Sequence, residues 1–150
     1  MLATMPIDRA FNVAVNHIAS RLFPCGYDVS ANAPETYEDL CDRVRRTGRM
    51  VVWDGASDAT IFGCSETNWA FRARHDWHHA FGGHDFTTQG EAAAAEGMCR
   101  DVIALYGDTE QARKWCRMIR IEVNDQAEHY ARTGDFPADQ RAFMLAHLDA

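Results

Sequence analysis

The sequence lacks long apolar runs, and charged residues interrupt each apolar stretch well short of the ~20 residues that a membrane-spanning helix needs. It also lacks a basic segment followed by an apolar one near its beginning, which is the pattern of an export signal. These two absences predict a cytoplasmic protein that does not enter a membrane.

Basic charge is scarce as well. The chain has 15 lysine and arginine residues against 22 acidic residues, a net charge of −7, and Lys114 is its only lysine. Nucleic acids and anionic membranes attract proteins with a basic surface, so neither is an expected partner. An acidic chain remains suited to a metal cation or to a partner protein with a basic surface.

Paired cysteine motifs and nucleotide-binding motifs are absent too. The five cysteines form no CxxC pair and are odd in number, which predicts free thiols in a reducing compartment and no cysteine ligand for a metal. No P-loop, GxGxxG, GxSxG or Cys-His nucleophile pattern occurs. The corresponding nucleotide-binding and hydrolase classes are therefore excluded.

The chain does contain strong helical periodicity. Its length of 150 residues suits a single helical domain, 1–150. Apolar residues recur every three or four positions, and Gly, Pro, Thr and Asp mark segment ends, so we predict an all-α bundle of about six helices. The predicted helices cover about 7–22, 34–48, 65–81, 88–107, 108–133 and 135–148. Short β-prone runs at 50–53 and 59–62, around a turn at 54–58, predict one small β-hairpin.

A histidine cluster lies on the third predicted helix. His75 and His79 are four residues apart, so their imidazoles share one helix face, as ligands of one ion must. Asp76 is placed to join the same ion or to hold the second nitrogen of a histidine ligand. Glu91 returns to the same level if the next helix packs antiparallel. We therefore predict a divalent metal site of His75, Asp76, His79 and Glu91, with zinc as the ion that suits imidazole and carboxylate.

Simpler interpretations of these residues remain open. The histidine pair can be solvated, and Asp76 can be ordinary surface charge. The spacing Thr88-x-x-Glu91 also fits a helix capping box, in which Glu91 satisfies backbone amides at the helix start.

The pattern HDxxH, eleven residues and then Glu resembles the metal motif of the coenzyme Q (ubiquinone) biosynthesis family of the fourth Coq protein. The resemblance implies a helical protein of ubiquinone head-group modification that holds zinc or another divalent ion. His75, Asp76, His79 and Glu91 occupy the motif positions. The short, arginine-rich chain also resembles small proteins of tailed phages.

Two further residues are candidates for proton transfer. Glu122 lies on the long fifth predicted helix in a polar stripe with Gln126 and His129. The stripe is either an exposed polar flank of the helix or faces the metal, in which case we predict that Glu122 is a general base or hydrogen-bond acceptor. His78 lies near the ligand face as a proton shuttle or a spare ligand, although an ordinary surface position is the favoured interpretation, since one helix turn rarely supplies three ligands to one ion. Arg72, one turn before His75, is either a surface side chain or an anchor for an anionic substrate group.

Three functions follow from these residues. A ligand set without cysteine is typical of catalytic zinc, which polarises a water or a substrate oxygen, so a metal-dependent lyase or hydrolase of a small-molecule substrate is one hypothesis. The alternative is a phage-encoded interaction or structural protein, in which the metal is a structural clamp and the acidic surface docks on a host protein. A metal-free helical binding module is the third.

Overall fold

The computed structural model describes residues 5–57 and 59–150, which are mainly helical. The helices are α1 (Arg9–Leu22), α2 (Tyr37–Thr47), α3 (Ser65–Gly82), α4 (Thr88–Tyr106), α5 (Glu110–Arg120), α6 (Gln126–Thr133) and α7 (Gln140–Leu148). A π-helical segment, Ile121–Asp125, joins α5 to α6 in one continuous rod. The strands β1 (Asp28–Ser30) and β2 (Val51–Trp53) form a small sheet. The predicted all-α class is confirmed.

Side-chain caps set most helix starts. Five helices begin after a residue whose side chain accepts a hydrogen bond from the backbone three positions later, namely Asp8, Thr36, Thr87, Thr109 and Asp139. Such caps satisfy amides that lack an intrahelical partner. They correct two predicted starts: α2 begins at Tyr37 rather than near Pro34, and α7 begins at Gln140 rather than at 135–137.

The predicted hairpin near 50–62 is wrong. β2 pairs in parallel with β1, with Val52 opposite Val29, and α2 forms the crossover between the two strands. Residues 59–62 contain bends and turns, while position 58 of the predicted turn lies outside the described residues. Ile61 and Phe62 are buried, and Phe62 packs on Phe11 and Phe71. Their β-prone composition reflects burial in the core rather than strand pairing.

The core lies around α3, which packs against α1, α2 and α4. Phe11 and Trp115 are almost fully buried there, with ring centroids 6.3 Å apart. None of the helices in the described ranges has the length and apolar content to cross a membrane. The packing of α3 on α4 places the histidine face of one helix against the first turns of the other.

Candidate metal centre

Three side chains converge where α3 meets the beginning of α4. His75 Nε2 lies 2.8 Å from Glu91 Oε2, and His79 Nε2 lies 3.1 Å from the same oxygen. The two Nε2 atoms are 2.9 Å apart. Within the described residues, His75, His79 and Glu91 are the group whose side chains can hold a metal ion.

The donor set fits zinc in both chemistry and spacing. Tetrahedral zinc holds nitrogen and oxygen ligands at about 2.0–2.1 Å, which places neighbouring ligand atoms roughly 3.3 Å apart. The three atoms in the structure are 2.8–3.1 Å apart. The three atoms therefore lie within about 0.5 Å of the spacing that tetrahedral zinc requires.

A backbone hydrogen bond orients His79. Its side chain is fully buried, and its Nδ1 lies 2.7 Å from the backbone carbonyl oxygen of His84. Because a carbonyl only accepts, Nδ1 carries a proton, and Nε2 is the ring nitrogen that faces His75 and Glu91. Such a partner for the second ring nitrogen is typical of metal-binding histidines. The ring of Phe86 packs edge-on against His79 and holds its plane, with centroids 4.8 Å apart.

The electrostatics of the group favour an ionised carboxylate. Burial raises the pKa of Glu91, but the hydrogen bonds from His75 and His79 outweigh burial and hold its pKa at about 2. Burial lowers the pKa of His75, while the hydrogen bond to Glu91 and its charge raise it, with a net increase. The site thus has a strong preference for positive charge beside Glu91, which a divalent cation can supply.

Asp76 does not belong to the three-residue group. Its Oδ1 lies 3.7 Å from His75 Nδ1, the ring nitrogen that does not face Glu91. Burial raises the pKa of Asp76, and the nearby His75 opposes that increase. The structure therefore brings together three of the four predicted ligands and places Asp76 beside the imidazole of one of them.

The predicted capping box is wrong. Thr87, not Thr88, is the cap of α4, and its hydroxyl oxygen accepts a hydrogen bond from the Gly90 amide at 3.1 Å. The Glu91 side chain is consequently one residue too far along the helix to complete a box. It points toward the histidines instead, so the alternative in which Glu91 only caps the helix is excluded.

A cavity of about 510 Å³ adjoins the three residues, and His75 and Glu91 form part of its wall. The opposite wall comes from the π-helical segment and α6, through Glu122, Val123 and Gln126. Gln126 Nε2 donates a hydrogen bond of 2.7 Å to Glu122 Oε1. Burial raises the pKa of Glu122 to about 8, against smaller opposing effects of Arg72 and Gln126. π-Helical turns often occur at functional sites.

His78 lies elsewhere. Its Nε2 is 2.6 Å from Asp101 Oδ2, and its Nδ1 faces Gly97 on α4. The Asp101 carboxylate is also 3.9 Å from the buried guanidinium of Arg74. His78 is buried and does not line the cavity in the part of the chain described here. The predicted exposed surface position of His78 is therefore wrong, and His78 is not part of the three-residue group, while its role in proton transfer stays a prediction.

Arg72 and the aromatic residues of the cavity show what sequence reasoning missed. Arg72 lines the cavity, but its Nη1 donates to the carbonyl oxygens of Trp53 and Gly55 at 2.7 and 2.6 Å. It is therefore not a free surface side chain, because the backbone of residues 53–56 engages most of its N–H groups. No local pattern marks the aromatic wall, because Trp53, Phe86 and Phe136 come from distant segments.

No protein-family model, curated protein or solved structure matches the chain. The resemblance to the coenzyme Q family stays a prediction that rests on the spacing of His75, Asp76, His79 and Glu91. The five cysteines are free thiols, and none joins the metal-binding group.

Proposed function

We propose that this protein is a small metalloenzyme that holds a divalent ion, zinc, through His75, His79 and Glu91. The observation that carries the proposal is the convergence of three ligand atoms, 2.8–3.1 Å apart, in the wall of a cavity. A metal-dependent lyase or hydrolase acting on a small molecule is the reaction class that this arrangement supports best.

The accessibility of the ligands favours catalysis. Three protein ligands are the usual number in catalytic zinc sites, whereas structural sites use four and are mostly rich in cysteine. His79 is sealed in the core, but His75 and Glu91 are partly exposed to the cavity. A bound ion supplies Lewis-acid chemistry, by which a substrate oxygen or a water is polarised.

Glu122 is the proposed proton-transfer residue. With a pKa of about 8, its carboxyl group is mostly protonated at neutral pH and is ready to donate a proton into the cavity. The hydrogen bond from Gln126 keeps the other carboxyl oxygen in place. After donating the proton, Glu122 is a carboxylate, and the positive charge of Arg72 favours this ionised form.

A structural metal clamp is the second candidate function. The ligands come from two helices, α3 and α4, and His79 is fully buried, so an ion here would also fasten the helices to each other. In this alternative, a phage-encoded protein uses the metal for stability and its acidic surface for a host partner. Free thiols support a cytoplasmic location under either function.

Metal content measured by elemental analysis tests the ligand set. We expect about one zinc ion per chain in the purified protein, and loss of the ion in His79→Ala and in Glu91→Gln. The matched controls are His17→Ala, an exposed histidine of α1, and Glu96→Gln, an exposed glutamate on the same helix as Glu91. Full occupancy in His79→Ala would overturn the assignment. The variant Asp76→Asn shows how many ligands there are. Retained metal indicates three ligands, and lost metal indicates that Asp76 is the fourth.

Cobalt substitution distinguishes the enzyme from the clamp. A cobalt ion with an open coordination position binds added azide. Its visible absorption spectrum then changes, because the spectrum depends on the ligands of the ion. A spectrum that shifts on azide addition supports the enzyme. A spectrum that azide leaves unchanged supports the clamp.

A further inference from the structure

The cavity beside the metal-binding group has the size of a small-molecule site, and the inference that follows rests on the function proposed above. Its volume of about 510 Å³ lies within the range of pockets that enclose small organic ligands. A cavity of this size is far larger than one water or one ion requires. Its wall chemistry therefore indicates which class of molecule it accepts.

Five aromatic side chains line the cavity. The aromatic residues that line it are Trp53, Phe71, Phe86, Tyr130 and Phe136. Tyr130 and Phe136 pack on each other with centroids 4.8 Å apart, yet they remain 50% and 59% exposed. Large exposed aromatic groups gathered around one cavity are typical of surfaces that a ligand covers. Flat rings stack favourably on such walls.

The charges of the wall disfavour an anionic ligand. Arg72 carries the only permanent positive charge among the described lining residues, and its guanidinium is committed to backbone carbonyls and to the face of Trp53 at 5.3 Å. Three of its five N–H groups already donate to backbone carbonyls, so the guanidinium has little left to offer an anion. Burying an unpaired charge against aromatic walls is costly.

Polar groups occur at two separate levels of the cavity. His75 and Glu91 form one level. Glu122 belongs to the other level, because it interacts with Arg72, which lies one turn before His75 on α3. One turn of helix corresponds to about 5 Å along its axis. A ligand with a polar atom at one end and a ring between the two levels fits this arrangement.

We propose that the cavity binds an uncharged aromatic molecule of one or two rings, with an oxygen atom directed at the His75, His79 and Glu91 group. The aromatic wall holds the rings, the metal-binding group receives the oxygen, and Glu122 lies at the other level for proton transfer. This assigns the substrate class that the proposed metalloenzyme acts on.

Fluorescence titration with two naphthalene probes tests the substrate class. The probe 2-naphthol is uncharged at neutral pH, whereas naphthalene-2-sulfonate has the same rings and a fixed negative charge. In chelator-treated protein we expect 2-naphthol to bind at least tenfold more tightly than the sulfonate. Zinc addition should tighten 2-naphthol binding further. Equal binding of the two probes would overturn the proposal.

Cavity-filling variants show whether the probe occupies this cavity. Ala127→Phe and the rim variant Ala131→Phe add a ring to the cavity wall, and each should weaken 2-naphthol binding at least tenfold while zinc content stays full. Ala146→Phe, on the exposed surface of α7, is the control and should bind normally. Normal binding in both cavity variants would contradict the proposal.

The failures of the two proposals are distinguishable. If zinc binds but 2-naphthol does not, the substrate class is wrong and the metalloenzyme remains. If 2-naphthol binds in an Ala127-dependent way but no zinc binds, the metalloenzyme is wrong and the aromatic ligand class of the cavity is supported.

Discussion

Glu122 carries a carboxyl group in a largely apolar wall, and this position makes stability depend on pH. The pKa of Glu122 rises from 4.5 to about 8 on folding because burial disfavours its charged form. Below about pH 4.5 both states are protonated. Between about pH 4.5 and 8 the unfolded chain releases the proton while the folded chain keeps it, so the free energy of unfolding falls as the pH rises.

Glu122→Gln should therefore remove part of the pH dependence of stability. We expect wild type to lose stability relative to the variant by at most about 1.4 kcal/mol per pH unit from pH 4.5 to 8, with no further change above pH 8. Urea unfolding of both proteins in chelator across this range measures the difference. Glu128→Gln, an exposed glutamate of α6, is the control and should follow the wild-type pH curve. Parallel curves for wild type and Glu122→Gln would refute the shifted pKa.

Gly97 is required by its contact with His78. A Cβ atom at position 97 would lie 2.4 Å from His78 Nδ1, and the imidazole cannot easily move because Asp101 and Trp77 hold it. We expect Gly97→Ala to lower the free energy of unfolding by about 1–3 kcal/mol. Denaturant unfolding measures the change.

The same substitution in a His78→Ala background isolates the cause. Without the imidazole there is no clash, and alanine is a better helix former than glycine by up to about 1 kcal/mol. Gly97→Ala should then be neutral or stabilising. Equal destabilisation in both backgrounds would show that the His78 contact is not responsible.

The start of α4 determines where Glu91 points. Thr87 caps the helix, while the Thr88 hydroxyl makes no hydrogen bond to the first-turn amides in the described structure. We expect Thr87→Ala to cost about 1 kcal/mol of stability, within the usual range for such caps. Thr88→Ala should change stability by less than about 0.5 kcal/mol. Urea unfolding of the pair measures both, and the reverse order would restore Thr88 as the cap.

The π-helical segment changes how α6 faces the bundle. Glu122 and Gln126 both line the cavity and bond to each other, as the predicted polar stripe requires. His129, the third member of that stripe, packs on Phe143 of α7 instead, with centroids 5.6 Å apart. A wider helical turn shifts the register of every later residue, so a stripe drawn with a constant period does not continue through it.

A bound metal ion should stabilise the whole molecule, because its ligands join two helices of the core. Zinc at a free concentration 100 times its Kd would add about 2.7 kcal/mol to the free energy of unfolding. For a chain of this size, that gain raises the Tm by about 5–10 °C. Thermal unfolding with and without zinc measures the increase.

Two variants show whether the stabilisation comes from this site. Glu91→Gln should show no zinc-dependent increase in Tm, and Glu96→Gln should show the full increase. A full increase in Glu91→Gln would mean that zinc stabilises the fold at a different place.

Local features of the molecule follow from the sequence alone. The helical class, the glycine at the end of α3 and the shared face of His75 and His79 depend on residues within one or two turns of each other. Interactions over such short distances repeat in every helix, so spacing is sufficient to predict them. The candidate ligands on α3 and α4 were accessible to sequence reasoning for this reason.

The tertiary structure decided the features that join distant segments. β1 pairs with β2 across the whole of α2, and burial rather than strand pairing explains Phe62. The same packing directs His78 to Asp101, leaves Asp76 outside the metal-binding group and opens a cavity between α3 and α6. Each of these outcomes depends on which helix faces meet and at what register. The free energy of burial, summed over the whole core, selects this arrangement of helices. No single segment of the chain therefore determines which helix faces meet.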